Sequence, residues 1–343
     1  MKNPIIFGCQ GLALTAYERS FFKEFPPLGF ILFKRNCSTK TQVISLVNSL
    51  RDVVGEKVPI LIDQEGGRVQ RLSPPIWNIY PPAEVFGFIF NSDQGKAKQL
   101  IKTNYQIIAS ELFELGINVN CAPVIDLIEK RGHPVIGDRA LSSDPKTVGA
   151  LGKAVVEGLE SGGVSGVIKH IPGHGRAEVD SHESLPTIDS CLDDLLSREF
   201  SPFIQLRLAA AAMTGHLLFP KLDPTHPVTF SKKIINDVIR NSIKFEGILL
   251  SDDLSMNALS GSIGDRYINA LEAGCDVGLH CNGNVHEMEL VAKACPGANN
   301  VATSRINVFL KRVADVSDSR EIFDINEQKA TLSEGLKGFF NFS

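Results

Sequence analysis

The segment "GVSGVIKHIPGHG", residues 163–175, is a short apolar run that ends in polar and small residues. Seven further runs of this kind occur along the chain, and they are "PIIFGCQG" (4–11), "GFILFKRN" (29–36), "PILIDQEGG" (59–67), "INVNCAPVIDL" (117–127), "AAMTGHLLFP" (211–220), "GILLSDDLSM" (247–256) and "DVGLHCNGN" (276–284). Runs that are apolar on both sides are typical of strands in a parallel sheet that helices cover on its outer face.

The segments between these runs have helical periodicity. Two apolar helix faces are predicted, one formed by Val43, Leu46, Val47, Leu50 and Val54, and the other by Val148, Leu151, Val155 and Leu159. Asp144 followed by Pro145 predicts where the second helix begins, because Asp caps helices and Pro suits their first position. Eight such units without a break in composition predict an α/β fold, a single (β/α)8 TIM-type barrel.

We expect one catalytic domain over residues 1–343, with the barrel in about residues 3–300 and a C-terminal helix and tail in about 301–343. The helix is predicted around "SRINVFLKRVADV" (304–316), and the remainder is interpreted as a polar tail. No GxGxxG or GxxxxGK[ST] motif follows any of the runs, which argues against a doubly wound sheet and a nucleotide. No cofactor is predicted.

The charge balance is nearly even, with 35 Lys and Arg against 39 Asp and Glu, and no long run of one sign occurs. Nucleic acid is therefore not an expected partner. No stretch reaches the ~18 apolar residues of a membrane span, and the first residues lack the apolar run of an export signal. The seven cysteines are scattered through apolar runs, which favours reduced thiols and a cytoplasmic location.

Polar residues concentrate where the predicted strands end. They are Asp63, Glu65, Arg68 and Arg71 after the third strand, Asp126 and Arg139 after the fourth, Lys169, His170, His174, Asp180 and His182 after the fifth, His216 after the sixth, and Asp252 and Asp253 after the seventh. These ends meet at one rim of a barrel. Because so many ionisable groups need polar partners, a hydrogen-bonding ligand such as a sugar is the expected occupant.

Two positions leave alternatives open. Side chains alternate along a strand, so only one of Asp252 and Asp253 can point into the barrel mouth and act as a nucleophile, and the other can cap the next helix. The segment "KHIPGHGRAEVDSHESLP" (169–186) has three interpretations: a metal site of His170, His174, Asp180 and His182, a Schiff base on Lys169, or acid–base chemistry by His182 beside Asp180. The glycines favour a mobile loop over a fixed metal cage.

That segment, together with "IDQEGGRVQRL" (62–72), "IGDRALSSDP" (136–145) and "LLSDDLSM" (249–256), resembles the bacterial β-N-acetylglucosaminidases of glycoside hydrolase family 3 over roughly residues 3–320. The resemblance implies a retaining exo-hydrolase that removes terminal N-acetyl-β-glucosamine from 1,6-anhydro-muropeptides during peptidoglycan recycling in the cytoplasm. Ile171 stands where these enzymes usually have Phe, which affects the packing of the loop.

The resemblance also implies residue roles. Asp252 matches the nucleophile, His182 the acid–base residue and Asp180 its partner, while the terminal sugar is held by Asp63, Arg71, Arg139, Lys169 and His170. No metal is expected, the partner is the sugar substrate alone, and the protein is expected to be a monomer. Gly173 and Gly175 are interpreted as points about which the loop swings over the substrate.

The aglycone has no readable signature in the sequence. The rival functions are a metal-dependent hydrolase, a Schiff-base lyase and a sugar sensor.

Overall fold

The computed structural model describes residues 2–129, 135–177, 181 and 184–340 of the 343-residue chain. Its strands, in chain order, are β1 (Asn3–Gly8), β2 (Pro27–Leu32), β3 (Ile60–Ile62), β4 (Gln64–Gly66), β5 (Val69–Gln70), β6 (Val119–Asn120), β7 (Ser165–Ile171), β8 (Ala211–Thr214), β9 (Ile248–Asp253) and β10 (Val277–His280). Eight of them form a closed parallel barrel in the order β1-β10-β9-β8-β7-β6-β3-β2, which confirms the predicted fold. The other two, β4 and β5, form a small antiparallel hairpin at the end of β3.

Helices follow the barrel strands. They are α1 (Ala16–Glu24), α2 (Lys40–Val54), α3 (Ala83–Ser92), α4 (Gln94–Glu114), α5 (Pro145–Ser161), α6 (Leu192–Ser197), α7 (Ser201–Gln205), α8 (Ile263–Ala273), α9 (Val285–Ala294), α10 (Asn300–Asp318) and α11 (Ile325–Gly335). A π-helix, Ile234–Ser242, connects β8 to β9. Among the described residues, no helix is long and apolar enough to cross a membrane.

The predicted start of α5 is confirmed in detail. The Asp144 carboxylate accepts a hydrogen bond from the Thr147 backbone N–H at 2.9 Å, and Pro145 occupies the first turn. The face predicted for α5, from Val148 to Leu159, is fully buried. Local capping and apolar spacing therefore agree with the packing of this helix on the barrel.

Side chains of the barrel strands divide between two cores. The inner core contains Leu61, Val167, Leu250 and Leu279, and the outer core contains the residues that alternate with them and face the helices. Ile306, Phe309 and Val313 of α10 pack against the inner core and close one end of the barrel. The opposite end, where the strands terminate, is left for the polar residues.

The expectation of a polar tail after α10 is wrong over part of its length, because α11 lies within it. Asp324 caps this helix through the backbone N–H groups of Asn326 and Glu327. Leu332 on this helix and Leu336 directly after it are four residues apart and fully buried, and the helix packs against α4. Two apolar residues at helical spacing were too weak a signal against an otherwise polar sequence.

Candidate active site

A cavity of about 320 Å³ opens at the carboxyl ends of the barrel strands. The inward register of the strands explains its lining, since Asp63, Lys169 and Asp252 each lie two residues beyond an inner-core residue, Leu61, Val167 and Leu250 respectively. The next inward layer of the barrel is therefore polar. A cavity of this size holds a single sugar ring with its substituents.

One side of the cavity is a charge cluster of two carboxylates and three cations, which we call the paired cluster: Asp63, Glu65, Arg71, Arg139 and Lys169. The Lys169 ammonium contacts both carboxylates at 2.7 Å. Asp63 also accepts from Arg71 at 3.0 Å, and Glu65 accepts two bonds of 2.8 Å from Arg139. Four of these five were predicted to hold the sugar, and Glu65 was not assigned a role although it lies two residues beyond Asp63.

The pairing fixes the charge of each group in the cluster. Burial opposes ionisation of Asp63 and Glu65, but the contacting cations outweigh burial and hold the pKa of each carboxyl well below its ordinary value. Burial likewise opposes the charged form of Lys169, yet the two carboxylates raise its pKa above the ordinary value. Lys169 keeps its proton and has no lone pair for a Schiff base, which argues against that interpretation.

Asp252 and Asp253, left undecided by the alternation, have different environments. Asp252 lies in the inward register of Ile248 and Leu250, and the only hydrogen bond it accepts among the described residues is from the Asp253 backbone N–H at 2.8 Å. Asp253 accepts bonds from the Ser255 backbone and hydroxyl and from the Cys281 backbone N–H. Both aspartates line the cavity, but Asp253 braces the turn after β9, whereas only one oxygen of Asp252 accepts a bond from a described residue.

Burial opposes ionisation of Asp252, but the nearby His170 and His216 rings and the Asp253 N–H outweigh it, so the pKa of Asp252 is lowered. At neutral pH it is a carboxylate without an ion pair to any described residue. Such a group keeps its electron density for attack on an electrophilic carbon.

A chain of hydrogen bonds fixes the turn that carries Asp252. The Asp253 carbonyl can only accept, so the His216 ring donates through Nε2 at 3.0 Å. Burial lowers the pKa of His216, and the neutral ring then accepts at Nδ1 from the Thr229 hydroxyl at 2.7 Å. The Thr229 hydroxyl in turn accepts from Thr214 at 2.9 Å. His216 is thus a structural support of the turn that carries Asp252.

The end of β7 places His170 beside the fully buried Asp126, a residue that was predicted at the rim but assigned no role. The His170 Nδ1 lies 2.7 Å from the Asp126 carboxylate, and the backbone N–H of His174 donates to the same carboxylate at 2.7 Å. The His174 ring is buried, and burial lowers its pKa to about 4. His174 is therefore neutral near pH 7.

The two residues predicted for proton transfer, Asp180 and His182, lie outside the described residues. Ser181, between them in sequence, lines the cavity, and its carbonyl accepts from the Ala258 N–H at 3.2 Å. The glycines that precede them have a packing role: a Cβ at Gly173 would lie 2.9 Å from the Glu199 carbonyl oxygen, and one at Gly175 would lie 2.2 Å from that of Leu127. Close packing therefore requires glycine at both positions, and the swing of the loop about them stays a prediction.

Among the described residues, no group of three or more His, Cys, Asp and Glu is arranged to hold a metal ion. Of the four residues considered as ligands, His170 and His174 have ring centroids 5.8 Å apart, and Asp180 and His182 are not described. The His170 ring directs Nδ1 to Asp126, so this nitrogen is engaged with a carboxylate.

Comparisons with known proteins identify the family of the chain. The model of the glycosyl hydrolase family 3 N-terminal domain matches residues 18–316. A β-hexosaminidase of Stenotrophomonas maltophilia (strain K279a) is 35% identical over 303 residues, 87% of this chain and 89% of that protein.

Two solved structures match nearly the whole chain. Native NagZ from Neisseria gonorrhoeae has a TM-score of 0.86 at 30% identity, covering 97% of this chain and 98% of that one. NagZ from the same organism in complex with N-trifluoroacetyl-D-glucosamine has a TM-score of 0.86 at 29% identity, with the same coverage.

Proposed function

The chain belongs to glycosyl hydrolase family 3 and is a glycoside hydrolase of the β-N-acetylhexosaminidase type, and we propose that it removes terminal N-acetyl-β-glucosamine with retention of configuration. The family predicted from the sequence motifs is confirmed. The observation that supports a retaining mechanism is Asp252, an inward carboxylate at the end of β9 that has no ion pair among the described residues.

In the proposed first step, the Asp252 carboxylate attacks the anomeric carbon while His182, oriented by Asp180, gives a proton to the departing glycosidic oxygen. An ester between Asp252 and the sugar forms as the glycosidic bond breaks. In the second step His182 takes a proton from water, the water oxygen attacks the anomeric carbon, and Asp252 leaves as a carboxylate. A cationic imidazole avoids the repulsion that a second carboxylate beside Asp252 would cause.

The paired cluster is proposed to hold the sugar. Asp63 and Glu65 are hydrogen-bond acceptors, while Arg71, Arg139 and Lys169 are donors, so the cluster complements hydroxyl groups that both donate and accept. The cations outnumber the carboxylates, which suits the electron-rich oxygens of a sugar. Because the cations are already bonded to Asp63 and Glu65, they are fixed in position before substrate binds.

We propose terminal N-acetylglucosamine on 1,6-anhydro-muropeptides as the natural substrate, with a role in peptidoglycan recycling in the cytoplasm. All seven cysteines are free thiols, as suits a reducing compartment. The proposal includes a monomer that needs no cofactor and no partner other than the sugar substrate, and neither nucleic acid nor a membrane.

The test is hydrolysis of an aryl N-acetyl-β-glucosaminide followed by NMR from the first seconds of reaction. Release of β-N-acetylglucosamine as the first anomer is expected, and activity should persist in a strong chelator. First release of the α anomer would reject retention, and absence of turnover with retained sugar binding would favour a sensor. Rates on an anhydro-muropeptide and on chitobiose, measured side by side, test the natural substrate.

A further inference from the structure

Asp126 is a fully buried carboxylate outside the predicted catalytic and sugar-binding residues. It follows β6, where Val124 pairs with Lys169 and the Ile125 N–H donates to the Lys169 carbonyl at 2.9 Å. This pairing extends the barrel contact between β6 and β7 beyond the named strand. Asp126 is thereby placed beside His170, the next residue of β7.

Among the residues that the structure describes, every hydrogen bond to the Asp126 carboxylate comes from the end of β7 or from the loop after it. Its oxygens accept from the His170 backbone N–H at 3.2 and 3.1 Å, from His170 Nδ1 at 2.7 Å, and from the His174 backbone N–H at 2.7 Å. Because a carboxylate only accepts, His170 carries a proton on Nδ1. The ring orientation is fixed, and Nε2 is the nitrogen left for the cavity, which His170 lines.

Resting on the proposed function, we propose that Asp126 is a positioning residue that acts on the nucleophile through His170. Its carboxylate holds the His170 ring at the wall of the cavity that Asp252 also lines. Burial opposes ionisation of Asp252, and His170 is the largest influence in the other direction on its pKa.

The charged and titratable groups around this relay come from every neighbouring element. Within the described part of the chain they are Asp63 and Glu65 after β3, Arg139 in the segment before α5, Lys169 on β7, His174 in the following loop, His216 after β8, and Asp252 and Asp253 on β9. Lys169 is bonded to the paired cluster, and His216 and His174 are neutral near pH 7. His170 is therefore the group through which Asp126 can alter Asp252.

The experiment compares the pH profile of kcat/KM for the wild type and Asp126→Asn on an activated aryl N-acetyl-β-glucosaminide. Asparagine keeps the size of the side chain but has one acceptor oxygen and no charge. We expect kcat/KM to fall about 100-fold. The acid limb, which is the part of the profile where kcat/KM falls as the pH is lowered, should move up by about 1 pH unit. Direct loss of a negative charge near Asp252 would move the limb down, so an upward shift reports on His170.

Asp276→Asn is the matched control. Asp276 is also a buried carboxylate, but it lies before β10 at the closed end of the barrel and accepts from the Leu249 N–H at 2.9 Å and from two arginines. The same change should lower stability there and leave the acid limb in place. An equal shift in this control would assign the effect to general destabilisation and overturn the proposal.

His170→Gln keeps the proposal testable even if Asp126→Asn does not fold. This variant should move the acid limb up by a similar amount, and adding Asp126→Asn to it should cause no further shift. A wild-type acid limb in His170→Gln would overturn the relay. If the wild-type protein shows no turnover, the proposed function is rejected together with this inference. If the wild type turns over normally and the variants keep the wild-type acid limb, this inference alone is rejected.

Discussion

The two sides of the pocket treat their carboxylates in opposite ways. On one side Asp63 and Glu65 are each bonded to two cationic side chains, with distances between 2.7 and 3.0 Å. On the other side Asp252 forms no ion pair with any residue in the described part of the chain, and one backbone N–H donates to it. All three share the inward-facing rim of the same barrel.

In the proposed function, this difference allows one rim of the barrel both to bind the sugar and to react with it. Cations that hold a carboxylate withdraw its electron density and fix its position, which suits recognition of hydroxyl groups. A carboxylate that is kept ionised without a bonded cation retains its nucleophilicity. We therefore expect substitutions on the two sides to have different consequences, with binding and stability affected on the first side and chemistry on the second.

The largest expected effect separates two adjacent aspartates. Asp252→Asn should lower kcat on an aryl glycoside by at least about 10⁴-fold with the fold intact, because the attacking group is lost. Asp253→Asn should keep kcat within about 10-fold and lower the free energy of unfolding by about 1 to 2 kcal/mol, because it weakens the bonds to Ser255 and Cys281. Equal activities of the two variants would contradict the different roles assigned to Asp252 and Asp253.

The reaction proposed at Asp252 also needs a proton donor for substrates with poor leaving groups. His182→Ala should slow such substrates by about 10² to 10⁴-fold and affect dinitrophenyl glycosides much less, since these leave without protonation. Steady-state rates for a series of aryl leaving groups measure the contrast. Glu183→Gln serves as the neighbouring control, and a uniform loss across the series in His182→Ala would contradict the role.

In the paired cluster the main effect of a substitution should be on stability and on sugar binding. Lys169→Met leaves two carboxylates without their shared cation, and we expect a loss of about 3 to 5 kcal/mol in the free energy of unfolding together with a raised KM. Arg312→Gln removes an exposed contact to Glu160 of 2.9 Å and should cost less than about 1 kcal/mol. Urea unfolding of both variants measures the contrast. Similar losses in the free energy of unfolding would contradict the expected contribution of the buried cluster to stability.

The smallest expected effect is in acid stability. The folded-state pKa of His174 is lowered from 6.5 to about 4, so between these pH values the unfolded chain binds a proton that the folded chain does not. Stability should fall by at most about 3 kcal/mol as the pH is lowered through this window, and His174→Gln should remove the slope.

The paired cluster should respond at lower pH. The folded-state pKa values of Asp63 and Glu65 are lowered, so their contribution is present above the ordinary values of 3.8 and 4.5 and is lost as the pH falls through the folded-state values. Asp63→Asn should therefore flatten the profile below about pH 4 and leave the His174 window unchanged. Urea unfolding between pH 3 and 7 distinguishes the two ranges.

The barrel was predictable because its signals are local. Apolar runs and helical faces repeat along the chain, and the Asp144–Pro145 pair has the meaning that capping chemistry predicts. The contacts within the site could not be predicted from local signals. The pairing of Lys169 with Glu65 joins residues 104 positions apart (169 minus 65), and no periodicity in either segment encodes that contact.

Alternation alone also left Asp252 and Asp253 equivalent until the inward register of Ile248 and Leu250 was known. The role of Asp126 was not apparent because its partners belong to another strand and its following loop. Each of these features depends on the register between strands, which is a property of the closed barrel rather than of any single segment.

Covalent trapping tests the proposed role of Asp252 most directly. The protein is incubated with a fluorinated N-acetyl-β-glucosaminyl inactivator and digested, and the added mass is located by mass spectrometry. We expect the adduct on the peptide that carries Asp252, and no adduct in Asp252→Asn. An adduct on another peptide, or none while a related active family member is labelled in parallel, would contradict Asp252 as the nucleophile of a retaining enzyme.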